Sequence, residues 1–172
     1  EVNGKAAKVY AIVNSRGGIG HSLTVQEPFR LTVENAIDQE TLLHWHGLTP
    51  PSDQDGVPEL SQPALKPGES HDYDFAVNRP GTFWMHSHVG LQEQQLMAAP
   101  LIVREAEASQ VQEHVILLHD FTFRSPQEIL EELRKGGGAH ASHSMSGMSG
   151  TEAMPGMSMD HSTMDHGSAE RK

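Results

Sequence analysis

What most constrains the fold of this chain is that, up to about Lys135, it offers only short β-type runs, separated by Gly, Pro and Asn. Strands are expected over residues 8–13 (KVYAIV), 29–33 (FRLTV), 41–46, 73–77, 82–88, 101–104 and 115–119. In the second of these, Phe29, Leu31 and Val33 alternate with polar neighbours, the period of a half-buried strand. Many short strands with little helix between them predict an all-β chain folded as an antiparallel sandwich or barrel. LKPGES (65–70) and NRPG (78–81) are turn chemistry, in which Pro presets φ and Gly accepts positive φ. One helix is expected near the end of this region, in SPQEILEELRKG. Ser125 is its N-cap, Pro126 its first residue, Glu128 the partner in a capping box and Gly136 the stop. Ile129, Leu130 and Leu133 give that helix one apolar face. A shorter helix is expected over residues 90–97.

Charge and composition exclude several classes of function. The 172-residue chain carries 23 acidic residues against 12 Lys and Arg, a formal charge of -11. Nucleic-acid phosphates require clustered cations, so a nucleic-acid partner is not expected. Docking on anionic membrane is disfavoured for the same reason. No apolar run approaches the roughly 18 to 20 residues that span a bilayer. The chain has no cysteine, which removes disulfides, thiolate metal sites and a cysteine nucleophile. Residue 1 is Glu and no signal-peptide pattern is present, so the chain is expected to be a processed or truncated product.

From Gly136 onward the sequence is rich in Gly, Ser, Met and His and poor in branched and aromatic residues. Such a segment buries too little apolar surface to offset the ordering of its backbone, and residues 136–172 are expected to be disordered. Six of the chain's eight Met lie there. Met145 and Met148, Met154 and Met157, then Met159 with His161 and Met164 with His166 recur at short spacing. A linker made only for flexibility needs neither thioether nor imidazole. Thioether prefers Cu(I) and imidazole accepts both copper states, so copper suits this tail.

Two His-x-His pairs carry the sharpest signal: His44 and His46 in TLLHWHGL, and His86 and His88 in GTFWMHSHVG. On a strand, residues i and i+2 project the same way, about 6.5 to 7 Å apart. Metal–nitrogen bonds are about 2.0 Å long, so two such rings can converge on one ion or serve two neighbouring ions. If the strands lie side by side, four imidazoles line one wall. Burying four histidines without metal would require partners for every ring nitrogen, each unsatisfied group costing about 1 to 3 kcal/mol. His21, His71, His114 and His119 are isolated, and no chemistry is assigned to them. Spacing alone does not choose the metal. Zinc hydrolases also use His-x-His, and a cupin-like sandwich would add a Glu soon after its pair. Glu93 offers itself for that role but falls in the expected short helix, off the ligand strand.

The stretches HWHG (44–47), DGVP (55–58), SQPALKPGESHDYDF (61–75) and GTFWMHSHVGLQEQQLMAAPLIV (81–103) together resemble the multicopper oxidases of the laccase and copper-resistance type. The resemblance covers roughly residues 1–135. It implies a cupredoxin-like Greek-key β-sandwich or barrel over residues 1–110. Residues 111–135 would be a linker strand and helix leading to a second domain, and 136–172 a Met- and His-rich segment. By the same resemblance His44 would help bind the type 2 copper, and His46, His86 and His88 the type 3 pair. Asp55 would be the carboxylate that assists proton delivery as O2 is reduced. The family completes its trinuclear cluster with histidines from a C-terminal cupredoxin domain, which also holds the type 1 copper on a cysteine. This chain has no cysteine, so the resemblance implies half a cluster and no type 1 site. The remainder would come from cupredoxin domains of the same or another chain, outside the cytoplasm, with phenols or metal ions as donors. Alone, the chain would be a fragment that does not oxidise laccase substrates. A non-enzymatic copper-binding or copper-tolerance protein of the periplasm is the alternative, and a zinc hydrolase on a β-sandwich a more distant one.

Overall fold

The computed structural model describes residues 1–107 and 111–136. The Met- and His-rich segment, with Met145, Met148, Met154, Met157, Met159, His161, Met164 and His166, lies outside the described residues.

Among the described residues, six strands build two sheets. β1 (His21–Thr24), β6 (Ala98–Arg104), β5 (Gly81–Ser87) and β3 (Leu43–His46) form one sheet, in that spatial order. β2 (Pro28–Glu34) and β4 (Ser70–Ala76) form the other. The pairings are antiparallel except β1 with β6, which is parallel.

The β2–β4 ribbon shows how alternation sorts residues between core and water. Phe29 faces Phe75 and Leu31 faces Tyr73 across the ribbon, on its inner side. The two Phe rings stack with centroids 4.5 Å apart. On the outer side the Arg30 guanidinium donates to the Asp74 carboxylate at 2.9 and 3.0 Å. The Thr32 hydroxyl donates to Asp72 at 2.6 Å, a second polar cross-strand pair. β6, flanked on both sides in the larger sheet, is buried along almost its whole length. The two sheets meet through Phe29, Trp45, Tyr73, Phe75, Met85 and Leu101, which belong to one apolar core. Trp45 sits at its centre, wholly buried, with its ring 4.8 Å from both Phe29 and Tyr73.

Several sequence expectations need correction. Residues 8–13 are not a strand. Only Tyr10 of that run is buried, and it is tied down by its amide donating to the Gln95 carbonyl. Residues 115–119 have no strand partner among the described residues, and Ile116 and Leu118 stand exposed. The segment 90–97 forms only a 3-10 turn, Glu93–Gln95. β1 was not expected: only Leu23 of its four residues is buried, so HSLT has no apolar pattern to reveal it. The helix α1 (Pro126–Arg134) is present, with Ser125 at its N-cap and Gly136 beyond its end at positive φ. The capping box does not form, because the Ser125 hydroxyl donates to the Gln127 side chain instead.

Candidate metal centre

β3 and β5 pair so that His44 stands directly opposite His86, with Trp45 opposite Met85 and His46 opposite Trp84. One residue beyond β5, the His88 amide donates to the Leu42 carbonyl, which carries the alignment onward. The alternation of a strand does the rest. Trp45, Met85 and Ser87 turn into the protein, all buried, while the imidazoles share the opposite face. The His44 and His88 rings stack at 4.4 Å, and His86 stands edge-on to both, at 5.6 and 4.9 Å. Their ligand atoms lie within 4.8 Å of one another. His46 joins through His86: its Nδ1 faces His86 Nε2 at 3.3 Å. Two nitrogens bound to one ion at a tetrahedral angle are also separated by about 3.3 Å, given bonds of about 2.0 Å. His86 is buried, His44 half-buried, and His46 and His88 are exposed, so the group forms an open face.

Hydrogen bonds set which nitrogen each ring presents. His44 Nδ1 lies 2.7 Å from the Asp55 carbonyl oxygen. A carbonyl only accepts, so Nδ1 carries the proton and Nε2 is left with a free lone pair. The Asp55 carboxylate lies beside the same nitrogen, at 3.4 Å. His86 Nδ1 likewise meets only acceptors: Glu93 Oε2 at 3.0 Å and the Ser87 carbonyl at 3.3 Å.

Two neighbours of the cluster were missed in sequence. Trp84 stacks on His86 with centroids 4.1 Å apart and lies 4.9 Å from His46. Its place two residues before His86 puts it on the same face, and that was the signal available. Glu93 reaches His86 Nδ1 from the 3-10 turn at 3.0 Å, as a partner of the ring and not as the strand ligand a cupin-like site would use. His21 packs edge-on against Phe29 and His71 against Tyr73, while His114 and His119 lie on the exposed segment after β6. None of these belongs to the group formed by His44, His86 and His88.

A face of converging imidazoles on a two-sheet β-sandwich offers a donor set that could hold a metal ion. The family model for multicopper oxidases matches residues 3–108, and the chain belongs to that family of copper-dependent oxidoreductases. It is 41% identical over 108 residues to copper resistance protein A of Escherichia coli, a match covering 61% of this chain and 18% of that protein. It is 36% identical over 115 residues to the multicopper oxidase MmcO of Mycobacterium tuberculosis, covering 64% of this chain and 23% of that one. Among solved structures, the multi-copper oxidase from Pseudomonas parafulva aligns with a TM-score of 0.59 at 32% identity, over 74% of this chain and 34% of that chain. The chain therefore spans about a fifth of the length of the curated relatives it matches. The fold is the cupredoxin sandwich of this family.

Burial holds both His86 and His88 below the ordinary imidazole value of 6.5. At His86 the Glu93 carboxylate and the Ser87 carbonyl oppose the effect; at His88 the neighbouring rings of His44 and His86 add to it. With folded values lowered, the unfolded chain binds more protons below about pH 6.5. The stability these rings contribute is complete above that point and is lost as pH falls through the folded values. The metal-free protein is expected to unfold at lower urea at about pH 5.5 than at about pH 8. An unchanged midpoint would contradict this.

Proposed function

We propose that this chain supplies four histidine ligands to the trinuclear copper cluster of a multicopper oxidase. In this reading His44 serves the type 2 copper, and His46, His86 and His88 the type 3 pair. The observation that carries it is the β3–β5 register, which sets His44 opposite His86 and gathers the other two rings beside them. An all-imidazole donor set suits copper, and the 3.3 Å separation of His46 Nδ1 from His86 Nε2 suits two ligands of one ion. When bound, copper here would supply the electrons that reduce O2 to water, received from donors oxidised at a type 1 copper on other polypeptide. The protein's own residues orient and protonate. Asp55 fixes the His44 tautomer through its carbonyl, and its partly exposed carboxylate stands where a proton can pass between solvent and the cluster.

The exposed rings of His46 and His88 leave the face open, so further ligands are proposed to come from a C-terminal cupredoxin domain, on this or another chain. Residues 1–110 would be the first cupredoxin domain and 111–135 the passage toward a second. Phenols or metal ions would be the donors, and the setting would be extracytoplasmic. Among the described residues no helix is long and apolar enough to cross a membrane. The tail methionines and histidines would capture copper.

Copper bound per chain, measured by metal analysis and electron paramagnetic resonance, tests the reading. Replacing His44 and His86 together by Ala is expected to remove the cluster-face copper, while His71→Ala leaves it unchanged. Equal loss in both variants would refute the ligand set. The 172-residue chain alone should oxidise no phenol, and adding a C-terminal cupredoxin polypeptide should confer oxidation. Tight copper binding without turnover even then would favour the second reading, a copper-binding protein, which the absence of cysteine and the Met-rich segment support.

A further inference from the structure

We propose that Glu93 is a positioning residue for the metal-binding face: its carboxylate accepts the Nδ1–H of His86 and so aims the Nε2 of that ring at the other imidazoles. The inference rests on the ligand reading above and extends it to a residue off the ligand strands. His86 is the ring common to both groupings, since it converges with His44 and His88 and also faces His46. Its Nδ1 has two acceptors, Glu93 Oε2 at 3.0 Å and the Ser87 carbonyl at 3.3 Å. The closer of them is an anion. A carboxylate behind a metal-bound imidazole fixes the tautomer and raises the basicity of the nitrogen that faces the metal.

The placement of Glu93 is built into the fold. The preceding residue, Gln92, is 4% exposed and staples the 3-10 turn to the strands. Its amide nitrogen donates to the Glu40 carbonyl at 2.8 Å. Its Oε1 accepts from the Thr41 hydroxyl at 2.8 Å and from the Ser87 hydroxyl at 2.7 Å. The turn closes with Leu96 at φ +69, whose amide donates to the Glu93 carbonyl at 2.9 Å. Gln95 receives the Tyr10 amide at 2.9 Å from the other side. With the backbone held at Gln92, Gln95 and Leu96, the Glu93 side chain has a fixed origin from which to reach the ring.

The test uses the full 172-residue chain labelled with 15N-histidine. Long-range 1H–15N spectra of the metal-free protein should show His86 protonated on Nδ1. In Glu93→Leu that ring should pass to the other tautomer or to a mixture. Titration with Cu(I), followed at the His86 resonances, should show affinity weakened by about 10 to 100-fold. Glu93→Gln keeps an acceptor at similar reach and should recover the tautomer and most of the affinity. Glu93→Ala carries the same expectations as the Leu variant, should that one fail to fold. An unaltered tautomer in Glu93→Leu and Glu93→Ala would show that the Ser87 carbonyl suffices and overturn the proposal. So would an altered tautomer with unaltered Cu(I) affinity. If His86 in the unsubstituted protein does not respond to Cu(I) at all, the ligand reading itself fails.

Discussion

Gly56→Ala is expected to destabilise the metal-free protein by at least about 3 kcal/mol, and Gly68→Ala by only about 1. Both glycines have a positive φ, +73 at Gly56 and +80 at Gly68. They differ in what a methyl group would meet. At Gly68 there is nothing within 4 Å; at Gly56 the new Cβ would lie 1.8 Å from the Leu43 carbonyl oxygen and 2.9 Å from the His44 nitrogen. These are backbone atoms of β3, which cannot rotate aside as a flexible side chain would. Either the loop retreats or the strand bends. In both cases the Asp55 carbonyl, one residue before Gly56, leaves the His44 Nδ1 that it holds at 2.7 Å. The Gly56 variant is therefore also expected to bind copper less tightly, while the Gly68 variant is not. Urea unfolding of both variants, with copper titration of each, separates the cost of positive φ from that of the close approach. Equal destabilisation would show that the approach to β3 does not matter.

The paired histidines were legible because strand geometry is local. An i, i+2 spacing sets two rings on one face whatever the rest of the chain does, and Trp45 and Ser87 fell on the buried side for the same reason. The β2 strand was legible from the alternation of Phe29, Leu31 and Val33. What failed were features decided at a distance. Residues 8–13 and 115–119 have the composition of strands, but a strand exists only where another edge accepts it. β1 is the converse case: a run with one buried residue becomes a strand because β6 offers it an edge. Glu93 could not be connected to His86 from sequence, since the 3-10 turn, the buried Gln92 and a left-handed Leu96 bring it there. The capping box at Ser125 failed by competition, the neighbouring Gln127 side chain taking its hydroxyl.

Trp45→Ala is expected to cost about 3 to 5 kcal/mol, the range for emptying a buried aromatic site. Trp45 is 0% exposed and touches both sheets, so the cavity would open where they meet. The ring also has a polar duty. Its Nε1–H donates to the Gln54 carbonyl at 3.0 Å, in the loop whose next carbonyl, that of Asp55, holds His44. Trp45 thus latches that loop from beneath while Gly56 lets it lie against β3 from above. Trp45→Phe divides the two duties. It keeps much of the apolar volume but leaves the Gln54 carbonyl without its donor, at a cost of about 1 to 3 kcal/mol. If the latch matters to the site, the Phe variant should weaken copper binding at His44 more than its modest loss of stability suggests. Phe29→Leu, which alters the same core without touching the loop, should lower stability and leave copper affinity unchanged. A fall in copper affinity that simply follows stability across all three variants would mean that the core sets the site through overall rigidity and not through the Gln54 hydrogen bond.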